Sequence, residues 1–288
     1  MSRVSRVWFV AAGVGLIALL SACSTSPTEQ DAISAGAVQV DASMEHIHNL
    51  LLTDSGLLIG SHQGLWLQEG TNPAERIGKS HFDVMGLAST ATGLVSSGHP
   101  GEGEEQVSNL GLRASADQGK TWQNLSLFGE VDFHRLVASG TTIMGIVSAD
   151  GALLRSTDSG KTWQTVPSPS LYDIAIDPMD PSMVVGTTEN GPVLSMDGAK
   201  TFTAIPDAPL LALLSWGESR LIGVTSEGVI FESRDMGLTW KKIATVSGQP
   251  GAIAVRGDEI ALLSGTTVFY SSDAGLTFKE RITGVMGH

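Results

Sequence analysis

The octapeptide STDSGKTW, residues 156–163, decides the fold, because four other segments repeat its order of Ser, Asp, a turn, Thr and an aromatic residue. The copies are SADQGKTW at 115–122, SMDGAKTF at 195–202, SRDMGLTW at 233–240 and SSDAGLTF at 271–278. Their first residues lie 41, 39, 38 and 38 positions apart. A period near 40 in a chain rich in glycine and β-forming residues indicates repeated small sheets, and the β-propeller fits this period best.

Each period contains four short apolar runs separated by turns. In one unit they are FHRLVAS, TIMGIVS, ALLRSTD and KTWQTVP, which places the octapeptide between the third and fourth strands. Residues 46–78 give a further unit that lacks the octapeptide. We therefore predict an all-β fold, a six-bladed β-propeller with four antiparallel strands per blade. The leader at 31–43 is too short for a seventh blade but long enough for a closing strand.

The octapeptides resemble the Asp-box, or BNR, repeats of sialidases and many other exported propellers. In such a turn the aspartate accepts hydrogen bonds from nearby amides, glycine allows a positive φ, and the aromatic ring packs between blades. One copy departs from the pattern, with Ala199 in place of the glycine. The motif is thus expected to be structural, and its aspartates are Asp117, Asp158, Asp197, Asp235 and Asp273.

The amino terminus has the pattern of an export signal: Arg3 and Arg6, then the apolar run VWFVAAGVGLIALL, then LSAC at 20–23. LSAC resembles the lipobox of bacterial lipoproteins, which implies cleavage before Cys23 and lipid on this residue, the only cysteine of the chain. The expected organisation is a signal peptide at 1–22, a lipidated cysteine and polar tether at 23–43, and the propeller at 44–288. The lipid would hold the protein outside the cytoplasm, on the outer face of the plasma membrane or in the periplasm.

The net charge of the chain limits the classes of partner that it can bind. The formal net charge is −13, and removal of residues 1–22 takes away two arginines and makes it −15. An anionic protein is repelled by nucleic acid, so no nucleic-acid partner is expected. We expect a monomer whose partners are the membrane, through its lipid, and a small polar ligand, a metal ion, or a protein or glycan of the cell envelope.

Alignment of the first strands of the blades places several polar residues in two columns. One column contains His46, Asp83, Asp132 and Ser170, and the other contains His48, Met85, His134 and Tyr172. Residues two apart on a strand share a face, so both columns should line the start of the central channel, here called the mouth. The ends of the second strands add His62 and His99 to the same end, and His81 precedes the second blade. An insertion at 98–111 should extend over the mouth with Glu102, Glu104 and Glu105.

The first hypothesis for the mouth is metal binding. Imidazole and carboxylate ligands suit a Zn or Cu ion, and a thioether from Met85 would favour copper. The candidate ligands are His46, His48, His134, Met85, Asp83, Asp132 and His99. The alternative is that these groups line a wet channel entrance and bond to water and to each other.

Two other functions remain open. The chain resembles exported BNR-repeat lipoproteins labelled sialidase-like or glycosyl hydrolase, which implies Asp83, Asp132 and Tyr172 as candidate catalytic residues. A sialidase needs three arginines around a carboxylate, but Arg135 should alternate away from His134, and no first strand supplies an arginine to the mouth. We therefore favour a binding protein over an enzyme. Asp-box propellers also resemble assembly factors, so a non-catalytic protein–protein interaction is the third hypothesis.

Overall fold

The computed structural model describes residues 44–103 and 107–286, together with the backbone of residues 38–39. These residues form six antiparallel sheets, each built from four consecutive strands, so the predicted six-bladed all-β propeller is confirmed. In the described ranges we find no helix that is long and apolar enough to cross a membrane. Cys23, Glu104 and Glu105 lie outside the described residues, as do the signal segment and most of the tether.

The first three blades use twelve consecutive strands. Blade 1 is β2 (Ile47–Thr53), β3 (Gly56–Ser61), β4 (Gly64–Gln68) and β5 (Glu75–Arg76). Blade 2 is β6 (Asp83–Thr90), β7 (Gly93–His99), β8 (Leu112–Ser115) and β9 (Gln123–Ser126). Blade 3 is β10 (Phe133–Ser139), β11 (Thr142–Val147), β12 (Leu153–Ser156) and β13 (Gln164–Val166).

The last three blades repeat this order, and blade 6 has an extra strand. Blade 4 is β14 (Asp173–Ile176), β15 (Val184–Thr188), β16 (Gly191–Ser195) and β17 (Thr203–Ala204). Blade 5 is β18 (Leu213–Trp216), β19 (Leu221–Val224), β20 (Val229–Ser233) and β21 (Lys241–Thr245). Blade 6 is β22 (Pro250–Arg256), β23 (Glu259–Ser264), β24 (Thr267–Ser271) and β25 (Lys279–Thr283), and β1 (Val38–Gln39) pairs in parallel with β25.

The hydrophobic core is divided among the interfaces between blades. Between blades 1 and 2, for example, Leu58 and Leu65 pack with Phe82, Val84 and Leu87. The second strand of each blade is sandwiched between neighbouring blades, and β11 is accordingly buried along its whole length. Each blade therefore buries its apolar faces against its neighbours, as in other repeat proteins.

The five octapeptide turns lie between the third and fourth strands, as predicted. In each of them the serine hydroxyl donates to the aspartate Oδ1 at 2.8 Å. The threonine hydroxyl donates to the aspartate Oδ2 at 2.6 to 2.7 Å, and its amide donates to Oδ1 at 2.8 to 2.9 Å. These bonds from threonine lower the pKa of Asp117, Asp197 and Asp273 to about 2. They lower the pKa of Asp158 and Asp235 as well.

Contacts between blades 6 and 1 close the ring without a shared sheet. A buried arginine of β25, Arg281, donates from Nε to Oε1 of Gln68 at 2.7 Å and from Nη2 to the carbonyl of Gly70 at 2.8 Å. Met44 and Ile47 pack in one apolar cluster with residues of blade 6. The parallel pairing of Val38 with Ile282 adds the closing strand that the leader was expected to supply.

Candidate metal-binding site

A β-bulge interrupts the start of the first strand at the same position of four blades, at Gly251 in blade 6 and at polar or sulfur-containing residues in blades 1 to 3. The pairing of the first with the second strand shifts register at His48 in blade 1, at Met85 in blade 2 and at His134 in blade 3. A bulge inserts one residue that has no ladder partner and re-aims its side chain. The bulges therefore interrupt the regular alternation of these strands where the two columns of polar residues begin.

The first cluster, triad 1, joins His48 and His62 of blade 1 to Asp83 of blade 2. Oδ1 of Asp83 lies 3.2 Å from Nε2 of His48, and Oδ2 lies 2.9 Å from Nδ1 of His62. Burial raises the pKa of Asp83, but the hydrogen bond with His48 and the charges of His48 and His62 outweigh burial and lower the pKa below its usual value. The carboxylate is buried, whereas the His62 side chain is 55% exposed.

The second cluster, triad 2, joins His99 of blade 2 to Asp132 and His134 of blade 3. Oδ2 of Asp132 lies 3.1 Å from Nε2 of His99 and 2.8 Å from Nε2 of His134. The Asp132 side chain is fully buried, and both imidazoles are partly exposed. On the other side of the carboxylate, the hydroxyl of Ser97 lies 3.5 Å from Oδ1.

The proton on His99 is fixed by the insertion at 98–111. Nδ1 of His99 lies 2.9 Å from the carbonyl oxygen of Ser108, which can only accept, so Nδ1 carries the hydrogen and donates it. In neutral His99 the lone pair is then on Nε2, which faces the Asp132 carboxylate. A lone pair and a carboxylate oxygen repel each other at this distance unless a proton or a cation lies between them.

The two triads are neighbours. Asp83 of triad 1 and His99 of triad 2 are directly paired residues on β6 and β7. Within each triad the ligand atoms lie within 4.8 Å of one another. Each triad thus offers two imidazole nitrogens and one carboxylate oxygen with a solvent-facing side, the ligand set of zinc sites that keep one position open.

An ion pair follows the triads around the channel. Nε of Arg135 in blade 3 lies 3.2 Å from Oδ1 of Asp173 in blade 4, and Oδ2 of Asp173 accepts the amide of Leu214 in blade 5 at 2.8 Å. Burial raises the pKa of Asp173, and Arg135 and two backbone amides oppose that rise. Arg135, which was predicted to alternate away from His134, follows the bulge at His134 and pairs with Asp173. Neither residue of this pair was among the predicted site residues.

The remaining predicted residues lie around the triads. His46 has a φ of 46°, and its ring meets the ring of His62 edge to face at 6.1 Å. Met85 is partly buried, and its carbonyl accepts a hydrogen bond from Asn49 of blade 1. Tyr172 is 58% exposed, and in the alignment of first strands it occupies the position in blade 4 that His134 occupies in blade 3. His81 pairs with Arg76.

Below the mouth, the first strands of all six blades enclose a central cavity of about 540 Å³. His48, Arg135 and Asp173 border it at the mouth, and Asp54, Glu218 and Arg256 border it at the opposite end. Between the two ends, the lining residues are mainly aliphatic. Polar chemistry is therefore concentrated at the ends of the channel.

Comparisons with known proteins agree with this architecture. The chain is similar to the GH74 xyloglucanase from Xanthomonas campestris, with 15% identity over 83% of this chain and 38% of that chain and a TM-score of 0.58. It is also similar to YCF48 bound to D1 peptide, with 18% identity over 84% of both chains and a TM-score of 0.55. A chain of a nidogen/laminin complex matches with 14% identity over 80% of this chain and 90% of that chain and a TM-score of 0.56.

The shared feature is the propeller fold. At such identities the likeness extends to the fold alone, and the chain spans 38% of the length of the xyloglucanase. No protein-family model matches the chain, and a search of curated proteins found no match either.

Proposed function

We propose that the mouth of this propeller binds a divalent zinc or copper ion in triad 2 and a second one in triad 1. His99, Asp132 and His134 would hold one ion, and His48, His62 and Asp83 would hold the other. A water molecule or an external ligand would occupy the open position of each ion. We favour a binding role for these ions, and catalysis is the less favoured alternative.

The observation that carries this proposal is the contact between His99 and Asp132. Nδ1 of His99 donates to the Ser108 carbonyl, and Nε2 faces the carboxylate at 3.1 Å. Metal-bound histidines commonly donate their second ring N–H to a backbone carbonyl, which fixes the tautomer and aims the lone pair at the ion. A bound cation would turn a repulsive contact between two acceptors into a shared coordination.

The alternative is that His99 is protonated and makes an ion pair with Asp132. Calorimetric titration of zinc and of copper(II) into chelator-stripped protein separates the two cases. We expect the wild type to bind two ions with saturable heat, and we expect Asp132→Asn to lose the heat and the stoichiometry of one site. His81→Ala removes a mouth-side histidine outside both triads and is the matched control. Negligible heat with the wild type, or identical curves for the wild type and Asp132→Asn, would contradict the proposal.

We also propose that Cys23 carries a lipid and holds the protein outside the cytoplasm, as the likeness of LSAC to a lipobox and of the octapeptides to Asp-box repeats suggests. The measurement is partition of the expressed full chain between detergent and water, with mass spectrometry of its amino-terminal peptide. We expect the wild type in the detergent phase and Cys23→Ser in the aqueous phase. Recovery of both in water would contradict the anchor.

A protein of the cell envelope is the second candidate ligand. Tyr172 and Leu210 expose apolar side chains, 58% and 65% accessible, on blades 4 and 5, beside the triads of blades 1 to 3. These exposed side chains could support a bound peptide, and one structural neighbour, YCF48, is bound to a peptide. Pull-down from membranes in the presence of a chelator tests this candidate, because a partner held by Tyr172 and Leu210 should remain after metal removal.

Hydrolysis is the less favoured candidate. A glycosidase acid needs a raised pKa, whereas the pKa of Asp83 is lowered. Asp173 has a raised pKa, but its two oxygens accept the amides of Ile174 and Leu214. Turnover of aryl glycosides that disappears in Asp83→Asn and Asp132→Asn would favour a hydrolase.

A further inference from the structure

Exposed apolar side chains lie at both ends of the propeller, and those at the end opposite the mouth belong to three consecutive blades. This end, called the box face, carries the octapeptide turns and the turns that join the first to the second strands. Turns of the two kinds contact each other, and the Gly198 amide, for example, donates to the Ser182 carbonyl at 2.9 Å. In the described part of the chain, eleven large apolar side chains are exposed, and five of these belong to the box face of blades 4 to 6. They are Met179, Met196, Met236, Leu238 and Leu276.

The fold does not require these apolar residues. The sixth residue of the octapeptide is a lysine in blades 2 to 4 and a leucine in blades 5 and 6. These residues are Lys120, Lys161, Lys200, Leu238 and Leu276. The hydrogen bonds of the turn use the serine, the aspartate and the threonine, and only the backbone of this position takes part. The two leucines are 50% and 79% exposed, which costs free energy in water.

The direction of the closing strand relates the box face to the anchor. Strand β25 starts directly after an octapeptide turn and runs from the box face towards the mouth. Because β1 is parallel to β25, the amino end of β1 points towards the box face of blade 6. Residues 24–37, between Cys23 and β1, can span at most about 50 Å. A lipid on Cys23 would thus hold the propeller within about one domain diameter of the membrane.

We propose that the box face of blades 4 to 6 docks on the lipid bilayer, with Leu238 and Leu276 inserted among the acyl chains and the mouth directed into the aqueous space. This inference rests on the proposed lipid anchor at Cys23. The lysines of blades 2 to 4 would extend their ammonium groups to lipid phosphates at the rim of the contact. The apolar contact orients the propeller, while the covalent lipid supplies the attachment.

Site-specific fluorescence on the full lipidated chain tests the docking. The lipid occupies the sulfur of Cys23, so Leu276→Cys introduces a single reactive thiol. We would attach an environment-sensitive fluorophore, insert the protein into phosphatidylcholine vesicles, and add nitroxide-labelled lipid as a quencher. The matched control is Tyr172→Cys, an exposed position at the mouth.

We expect a blue-shifted, several-fold stronger emission at position 276 that the nitroxide lipid quenches, and no such change at position 172. A label at Met179→Cys should give the same response, and Leu238→Ser with Leu276→Ser should abolish it. Anchored protein with equal signals at both ends would contradict docking and leave the anchor intact. Protein that stays in the aqueous phase would contradict both proposals.

Discussion

Replacement of Asp173 by alanine tests how the blades are held together at the mouth. The buried carboxylate accepts the amides of Ile174 and Leu214 at 2.9 and 2.8 Å, and Arg135 lies 3.2 Å away. Asp173→Ala leaves two buried amides without this acceptor, at roughly 1 to 3 kcal/mol each. The Arg135 side chain is 30% exposed and can bind water, so its lost partner adds little. We expect a loss of about 3 to 5 kcal/mol in the free energy of unfolding.

Urea unfolding of the wild type, Asp173→Ala, Arg135→Met and the double variant measures this value and the coupling within the pair. Arg135→Met should cost less, about 1 to 2 kcal/mol, because the two amides still bind the carboxylate. The expected coupling energy is about 1 kcal/mol. A loss below about 1 kcal/mol for Asp173→Ala would refute the view that this carboxylate links blades 3, 4 and 5.

The pH dependence gives a second check on the same pair. Burial raises the pKa of Asp173 above its unfolded value, so its contribution to stability is complete below about pH 4 and declines as the pH rises through the folded pKa. Without Arg135 the folded pKa rises further. The difference in unfolding free energy between the wild type and Arg135→Met should therefore be small at pH 4 and larger at pH 7. An equal difference at both pH values would contradict this assignment.

Three further predictions concern other parts of the propeller. Zinc at one hundred times its dissociation constant should raise the thermal midpoint by about 5 to 10 °C per site, and calorimetry should show no contribution from triad 2 in Asp132→Asn. Gly119→Ala should lower the free energy of unfolding in urea by about 2 to 4 kcal/mol. The φ of Gly119 is 87°, and the added Cβ would lie 2.3 Å from Cδ2 of Leu65. The control Ala199→Gly, at a φ of 67°, should change this free energy by less than about 1 kcal/mol. The lowered pKa of Asp158 stabilises the fold above about pH 4 and this contribution is lost as the pH falls further, so Asp158→Asn should flatten the acid side of the curve of midpoint against pH, unlike the control Asp150→Asn.

Local chemistry explains why the fold could be predicted from the sequence. Each octapeptide forms its turn with its own Ser, Asp and Thr, so five nearly identical segments identify five third-to-fourth strand turns without knowledge of the rest of the chain. The blade that lacks the motif was still recognisable, because its apolar runs have the same spacing. In the third copy, Gly198 and Ala199 both adopt a positive φ, so the turn survives the loss of its usual glycine.

The candidate site was less predictable, because it depends on contacts between blades. Strand alternation grouped the mouth residues into one site, whereas the structure separates them into two triads. His62 was placed at the correct end but not among the candidate ligands, since its distance to Asp83 depends on how blade 1 packs on blade 2. The register shift at His134, which brings Arg135 to Asp173, cannot be recognised from the spacing of apolar residues in the sequence.

The number of carboxylates explains why the repeat gives two triads and not three. His62 directly follows the second strand of blade 1, His99 ends the second strand of blade 2, and each approaches the aspartate of the following blade. The bulge histidines differ: His134 contacts Asp132 of its own blade, whereas His48 contacts Asp83 of the next. Blade 1 has His46 where blades 2 and 3 have aspartate, so His48 has no carboxylate of its own blade at that position. Each of the two aspartates thus contacts two histidines. Binding of more than two metal ions per protein would therefore require ligands from outside the two triads.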